Sequence, residues 1–107
     1  MSSNLEETLA FQIRADGLPV PEREFVAIPG RRFRFDFGWP DPAYKLLCEV
    51  QGGVFIKGAH STGVGITRDA EKAALAAVHG YRLIPVTAQH IKSGMALKWI
   101  REALWSK

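Results

Sequence analysis

Two acidic residues, Asp36 and Glu49, flank a proline-rich turn and are spaced to act together. If the turn is centred between Pro42 and Ala43, Asp36 lies directly opposite Glu49 in an antiparallel hairpin. Opposed side chains have Cβ atoms roughly 4.5–5.5 Å apart, and like charges at that distance destabilise the pair. A hard cation offsets the repulsion, because Mg²⁺ is commonly held by one or two carboxylates, with water and substrate phosphate as its other ligands. The spacing therefore predicts a magnesium site.

A surface role is the competing interpretation of the same two acids, with Arg34 and Lys45 neutralising them in salt bridges. The surroundings of Glu49 favour the metal site, because this residue follows the apolar run 46–48 and precedes Val50. Burying an unpaired charge in such a run costs on the order of several kcal/mol. Charged groups that are buried at this cost are concentrated at functional sites.

The elements that must position these acids follow from hydrophobic periodicity and turn residues. In chain order, the sequence predicts a helix over residues 4–15, strands over 24–28, 32–39 and 44–51, a helix over 68–79 with Thr67 as its N-cap, a strand over 81–86, and a C-terminal helical region starting at Thr87 or Ser93. The fold class is therefore α/β, with a mixed central sheet flanked by helices.

Two faces within these elements are expected to form the core. The strand over residues 32–39 has an aromatic residue at every second position, and we expect the side that carries them to be buried: Phe33, Phe35, Phe37 and Trp39. Small side chains in the helix over residues 68–79 are expected to let it lie close against the sheet: Ala70, Ala73, Ala74 and Ala77.

Length and composition narrow the class of protein. The 107 residues, 47% of them hydrophobic, suit one globular domain. No apolar stretch approaches the roughly 18–20 residues of a membrane span, and Glu6 and Glu7 occupy the place of a signal peptide's apolar segment. The single cysteine, Cys48, excludes an internal disulfide. We therefore expect a cytoplasmic protein with no membrane partner.

The charge distribution is compatible with a polyanionic partner. The chain carries 14 basic and 11 acidic residues, a net charge of +3. Arg31, Arg32 and Arg34 are grouped beside aromatic residues, and such a group is a candidate contact for phosphate.

Longer motifs around these residues resemble the PD-(D/E)xK nuclease superfamily. The motifs are Glu24-Phe25, Arg31-Arg32-Phe33-Arg34-Phe35-Asp36-Phe37-Gly38-Trp39-Pro40, Glu49-Val50-Gln51-Gly52-Gly53, His60 and Asp69-Ala70-Glu71-Lys72. The chain is most similar to small phage endonucleases and Holliday-junction resolvases related to the very-short-patch-repair and VRR-Nuc nucleases. The resemblance spans residues 21–87 and implies a restriction-endonuclease-like core of the order α-β-β-β-α-β, which matches the predicted elements.

The resemblance implies a role for each matching residue. Asp36 and Glu49 correspond to the acids that bind Mg²⁺, for which Mn²⁺ would substitute, and the backbone carbonyl of Val50 corresponds to a further ligand. Glu24 corresponds to an additional upstream acid. Gln51 departs from the pattern, since it occupies the usual place of a catalytic lysine. Glutamine is uncharged and can neither stabilise a developing negative charge as lysine does nor help to deprotonate water.

Two residues further along the chain have open alternatives. Lys72 is a candidate replacement for the missing lysine, because the superfamily sometimes carries it on the following helix. The alternative is a surface lysine paired with Asp69 or Glu71. His60, in a glycine-rich loop, either has a function, in which it orients water, contacts a phosphate or acts as a general acid, or is a solvated loop residue.

The resemblance implies a metal-dependent DNA endonuclease, with residues 1–107 as one nuclease domain. The cation held by the acids would activate water for phosphodiester hydrolysis, and four basic residues would bind the DNA backbone: Arg31, Arg32, Arg34 and Lys57. Resolution of four-way junctions is the preferred task, and mismatch nicking and restriction-type cleavage are the alternatives. Two symmetric cuts imply a homodimer, acting in the host cytoplasm if a phage encodes it. Gln51 keeps open a different class, a nuclease-like DNA-binding module without catalysis.

Overall fold

The predicted order of helices and strands is confirmed. The computed structural model describes residues 4–51 and 63–106, with the side chains of residues 63 and 64 left out. Its elements are α1 (Asn4–Ala15), β1 (Glu22–Phe25), β2 (Phe35–Trp39), β3 (Leu46–Val50), α2 (Gly63–Val78), β4 (Arg82–Val86), α3 (Ala88–Ser93) and α4 (Met95–Trp105). Within the described residues, no helix combines the length and apolar character needed to cross a membrane.

The strands form one mixed sheet in the order β1-β2-β3-β4. β2 pairs antiparallel with β1 and β3, whereas β3 and β4 are parallel. Parallel neighbours need a crossover connection, and α2 supplies it. The register of the β2–β3 hairpin is the predicted one, since Phe37 pairs with Cys48 and Trp39 with Leu46. The expected α/β fold with a mixed central sheet and a C-terminal helix is therefore confirmed.

Apolar side chains cover both faces of the sheet. On one face, α1, α3 and α4 pack over a core that includes Leu9, Ile13, Phe37, Trp39, Cys48, Ile91 and Ile100. On the other face, α2 packs over a smaller core formed by Ile28, Phe35, Leu47 and Ala76. We call these the α1-side core and the α2-side core. The ends of β2 and β3 therefore lie between helices on both faces.

The strands differ from their predicted ranges by one or two residues at β3 and β4 and by more at β1 and β2. β1 covers Glu22–Phe25 and not residues 24–28, and β2 begins at Phe35 and not at residue 32. The cause is the connection between them, where the Arg31 N–H donates to the Ile28 carbonyl at 3.1 Å and closes a turn. Gly30 takes a positive φ of 79° in this turn, a conformation open to glycine. Ile28 is buried as the anchor of a loop and takes no part in the strand.

The helix predicted over residues 68–79 begins five residues earlier, at Gly63. Thr67 consequently lies inside α2 and does not cap it. A glycine in a helix costs about 1 kcal/mol relative to alanine, but Gly63 and Gly65 are nevertheless part of α2. The helix also presents a different face to the sheet: Ala76 is fully buried and Leu75 packs beside it, whereas the expected alanines are exposed: Ala70, Ala73, Ala74 and Ala77.

The C-terminal region contains two helices. Thr87 and Ser93, the two predicted starting points, lie at the start of α3 and at the junction between α3 and α4. Thr87 caps α3, accepting a hydrogen bond from the His90 N–H while the His90 ring accepts one from the Thr87 N–H. Gly94, with φ of 85°, ends α3 directly after Ser93 and precedes α4.

The packing of Phe25 against Gly38 leaves no room for a side chain at residue 38. A Cβ at this position would lie 2.5 Å from Cδ2 and 2.8 Å from Cγ of Phe25. We therefore expect Gly38→Ala to lower the free energy of unfolding by about 1–3 kcal/mol, as overpacked core positions do. Chemical denaturation measures this loss. In a Phe25→Ala background the same substitution should cost less, and a Gly38→Ala protein as stable as the parent would contradict the packing.

Candidate functional site

Asp36 and Glu49 meet where the regular pairing of β2 and β3 stops, one residue beyond Phe37 and Cys48. The backbone N–H of Val50 donates to Oδ2 of Asp36 at 2.7 Å. The backbone N–H of Asp36 donates to Oε1 of Glu49 at 3.2 Å. Each carboxylate therefore accepts a hydrogen bond from the backbone of the opposite strand, and the two predicted acids lie side by side.

β2 reverses its faces at Asp36. Phe35 packs in the α2-side core, whereas Phe37 packs in the α1-side core. Residues two apart in a regular strand share a face, so the strand is irregular between these two phenylalanines. The expected single aromatic face is therefore wrong, although Phe35, Phe37 and Trp39 are all buried. The irregularity lets the Asp36 carboxylate reach the backbone of β3.

β1 has a matching irregularity at Glu24. The guanidinium of Arg23 lies 4.9 Å from the ring centroid of Phe37, whereas Phe25 packs against the α2-side core. Between them Glu24 has φ of +52°, a left-handed conformation that non-glycine residues rarely adopt. Strained backbone of this kind is concentrated at functional sites. Its carboxylate points to Arg34, with Oε1 3.5 Å from Nη1, so Glu24 lies at the margin of the site.

Lys72 of α2 completes this arrangement. Its ammonium donates to Oε2 of Glu49 at 2.6 Å and to the carbonyl oxygen of Arg34 at 2.9 Å. It also lies 4.7 Å from the ring centroid of Phe35, and the side chain is only 15% exposed. Glu71, one of the two partners in the surface alternative for Lys72, pairs instead with Arg31 at 2.6 Å. The helix places this lysine against the predicted acid.

The environment of Glu49 explains why it needs the lysine. Burial raises the pKa of Glu49, the hydrogen bond and charge of Lys72 oppose that rise, and the charge of Asp36 adds to it. The neighbouring thiol of Cys48 also has a raised pKa, because of burial and then the negative charges of Asp36 and Glu49. The salt-bridge alternative with Arg34 and Lys45 is not observed, since Arg34 contacts Glu24 and Lys45 lies over Tyr81.

Glu6 of α1 is a further acid at this site that the sequence analysis missed. Its carboxyl group hydrogen-bonds the Asp36 side chain, and only 14% of its side chain is exposed. The pKa of Glu6 is raised to about 7, first by burial and then by the charge and hydrogen bond of Asp36. A signal was present, because Glu6 shares the helix face of Leu9 and Ile13, which are buried. We call Glu6, Asp36 and Glu49 the acidic cluster.

The remaining predicted residues lie around or away from this cluster. Gln51 follows β3, and its backbone N–H donates to the Val86 carbonyl at 2.7 Å, while Val50 ends the strand beside it. Arg31 and Arg32 line an open groove next to α2. The predictions for Lys57 and His60 lie outside the described residues.

The donor set of the acidic cluster fits a hard divalent cation. Carboxylate oxygens are the ligands that Mg²⁺ prefers, and the pKa values of Glu6 and Glu49 are raised first by burial and also by the negative charge of Asp36. Within residues 4–51 and 63–106, no three His, Cys, Asp or Glu side chains converge as ligands of one ion. A cation there would accordingly rest on two carboxylates, with water and phosphate as further ligands.

The sheet and its helices form a fold that is shared with a solved structure. A solved structure with the same architecture is the catalytic domain of the homing endonuclease I-Bth0305I, with a TM-score of 0.70 over 97% of this chain and 95% of that one. The two sequences are 17% identical, so the shared property is the fold. No protein-family model matches this sequence. No curated protein matches it either.

The contact between Glu6 and Asp36 predicts a pH dependence. A carboxyl whose pKa rises from 4.5 unfolded to about 7 folded contributes stability that is complete below pH 4.5 and is lost as pH rises through about 7. Carbon-detected NMR should show Glu6 titrating near pH 7, and the melting temperature should fall between pH 5 and 8. Asp36→Asn should lower the pKa of Glu6 and flatten the fall. Titration of Glu6 in the ordinary carboxyl range would contradict the contact.

Proposed function

We propose that this protein is a metal-dependent DNA endonuclease of the PD-(D/E)xK type. The observation that carries the proposal is the Glu49–Lys72 pair beside Asp36, because a nuclease needs acids for a cation and a positive charge for the phosphate at one point. Lys72 supplies the charge that Gln51 lacks. The shared fold with a homing endonuclease catalytic domain supports the same conclusion.

Each residue of the cluster has a distinct role in this proposal. Asp36 and Glu49, with the Val50 carbonyl, would hold Mg²⁺ or Mn²⁺, which polarises the phosphate and makes bound water a better nucleophile. Lys72 donates to a phosphate oxygen as negative charge develops there. Glu6, with a pKa of about 7, can accept a proton from the attacking water near neutral pH.

The substrate we propose is DNA, and branched four-way junctions are the preferred form. Residues outside the cluster would bind the backbone: Arg31, Arg32, Arg34 and Lys57. Glu24 would be an additional acid, and His60 would orient water, contact a phosphate or act as a general acid. Paired cuts across a junction require two active sites, so the active form would be a homodimer. Light scattering of the purified protein, alone and with a junction, measures this stoichiometry.

The decisive experiment compares labelled DNA substrates in the presence of Mg²⁺ or Mn²⁺. A four-way junction, its matched duplex, a mismatched duplex and single-stranded DNA are incubated in parallel. Symmetric cuts in the junction support the resolvase assignment. Cleavage confined to the mismatched or matched duplex supports nicking or restriction-type activity instead. Binding without cleavage of any substrate would mean a non-catalytic DNA-binding module.

Removing charge from either acid should separate binding from cleavage. We expect Asp36→Asn and Glu49→Gln each to abolish cleavage while DNA affinity is retained or increases, because repulsion of phosphate falls. Millimolar Mg²⁺ should raise the melting temperature of the parent and have little effect on Asp36→Asn. Glu102→Gln, an exposed change on α4 with the same loss of charge, is the control. Near-normal turnover in both variants would overturn the assignment.

Lys72 can be tested through rate and pH profile together. Lys72→Ala should lower the cleavage rate by a factor on the order of 10², because a charge that stabilises the transition state is lost. The rising limb of the pH–rate profile should also move to higher pH, since Lys72 opposes the raised pKa of Glu49. Lys72→Arg should restore part of the rate. A fully active Lys72→Ala enzyme would leave the lysine with a structural role only.

A further inference from the structure

An open groove with a volume of about 1010 Å³ lies between α2 and the turn before β2. One wall is the turn before β2, with Arg31, Arg32 and Phe33, and the other wall is α2, with Thr67, Arg68 and Glu71. We call it the arginine groove. Three of these six side chains are cationic and one is anionic, so the groove has a net positive charge.

The arginine groove leads to the acidic cluster along α2. Arg68 precedes Lys72 by four residues, and side chains with this spacing are neighbours on one helix face. The chain of the opposite wall continues from Phe33 to Arg34, whose carbonyl accepts a hydrogen bond from Lys72 at 2.9 Å. Both walls therefore lead to Lys72. A strand lying in the groove would therefore have its next phosphate at Lys72.

Arg31 is held in the groove by two weak contacts. Its guanidinium lies 2.6 Å from Oε2 of Glu71 and 4.5 Å from the ring centroid of Phe33. The side chains of Arg31 and Glu71 are 40% and 45% exposed, and exposed ion pairs of this kind contribute little to stability. The contact fixes the guanidinium in place, but a stronger anionic partner can displace the carboxylate. Phosphate is such a partner, because its oxygens accept the paired hydrogen bonds of arginine.

We propose that the arginine groove binds the phosphodiester backbone of a nucleic-acid strand, with Arg31 exchanging Glu71 for a phosphate and Arg68 binding from the opposite wall. The choice of a nucleic-acid strand rests on the proposed function, because the groove leads into the proposed hydrolytic site. Glu71 occupies the place of the phosphate while no strand is bound. It therefore lowers affinity for the backbone, and its removal strengthens binding.

The test measures binding of a labelled four-way junction by fluorescence anisotropy without divalent ions, in the Asp36→Asn background. Glu71→Gln should tighten binding roughly two- to fivefold, while Glu102→Gln, with the same change in net charge on α4, should have little effect. In an Arg31→Gln background the gain from Glu71→Gln should disappear. Arg32→Gln and Arg68→Gln should each weaken binding and reduce the slope of log affinity against log salt by about one.

Several results would overturn the proposal. Equal effects of Glu71→Gln and Glu102→Gln on affinity would mean that Glu71 acts only through the net charge of the protein. An unchanged slope of log affinity against log salt in Arg68→Gln would mean that Arg68 does not contact the DNA. If a polyglutamate peptide displaced the labelled DNA better than unlabelled DNA of equal charge, the groove would be a binding site for acidic protein segments. Circular dichroism melting confirms that each variant is folded. Cleavage of DNA that depends on Asp36 and Glu49 would support the proposed nuclease even if the groove variants had no effect.

Discussion

The arrangement of this protein depends on an exchange of hydrogen bonds between β2 and β3. Up to Phe37 and Cys48 the strands pair regularly, and beyond that point the Val50 N–H donates to Asp36 and the Asp36 N–H donates to Glu49. Buried backbone N–H groups need partners, and here carboxylates supply them. The backbone N–H groups therefore keep hydrogen-bond partners where the regular pairing of β2 and β3 ends. The same hydrogen bonds hold the two carboxylates in place.

Fixing two acids together has an electrostatic cost that the neighbouring helices offset. α2 brings the ammonium of Lys72 to Glu49, and α1 brings the carboxyl group of Glu6 to Asp36, where the raised pKa favours a bound proton. Glu49 is thus stabilised by a cation, whereas Asp36 has a neighbouring acid whose pKa is raised to about 7. The helices on the two faces of the sheet have different chemical roles at the same point, which a single helix could not combine.

The sequence predicted the parts of this site that depend on local pattern. The turn between β2 and β3 and the apolar run before Glu49 were sufficient to place Asp36 beside Glu49 in the correct register. Glu6 and the face reversal at Asp36 escaped prediction because both depend on packing between distant segments. The start of α2 lies five residues before the predicted one, because the low helix propensity of glycine does not exclude Gly63 and Gly65 from the helix. Long-range packing therefore decided what local pattern left open.

The burial of Cys48 has a consequence for the selectivity of the whole site. This thiol lies next to Glu49 in β3, and burial together with the nearby carboxylates raises its pKa, so it stays protonated. A thiolate is the form that is oxidised and that captures soft metal ions, whereas a buried neutral thiol does neither. Burial and the same two acids thus keep the sulfur closest to them in its neutral form. Burial and the raised pKa therefore make Cys48 a poor ligand for copper and other thiophilic ions and a poor target for oxidants.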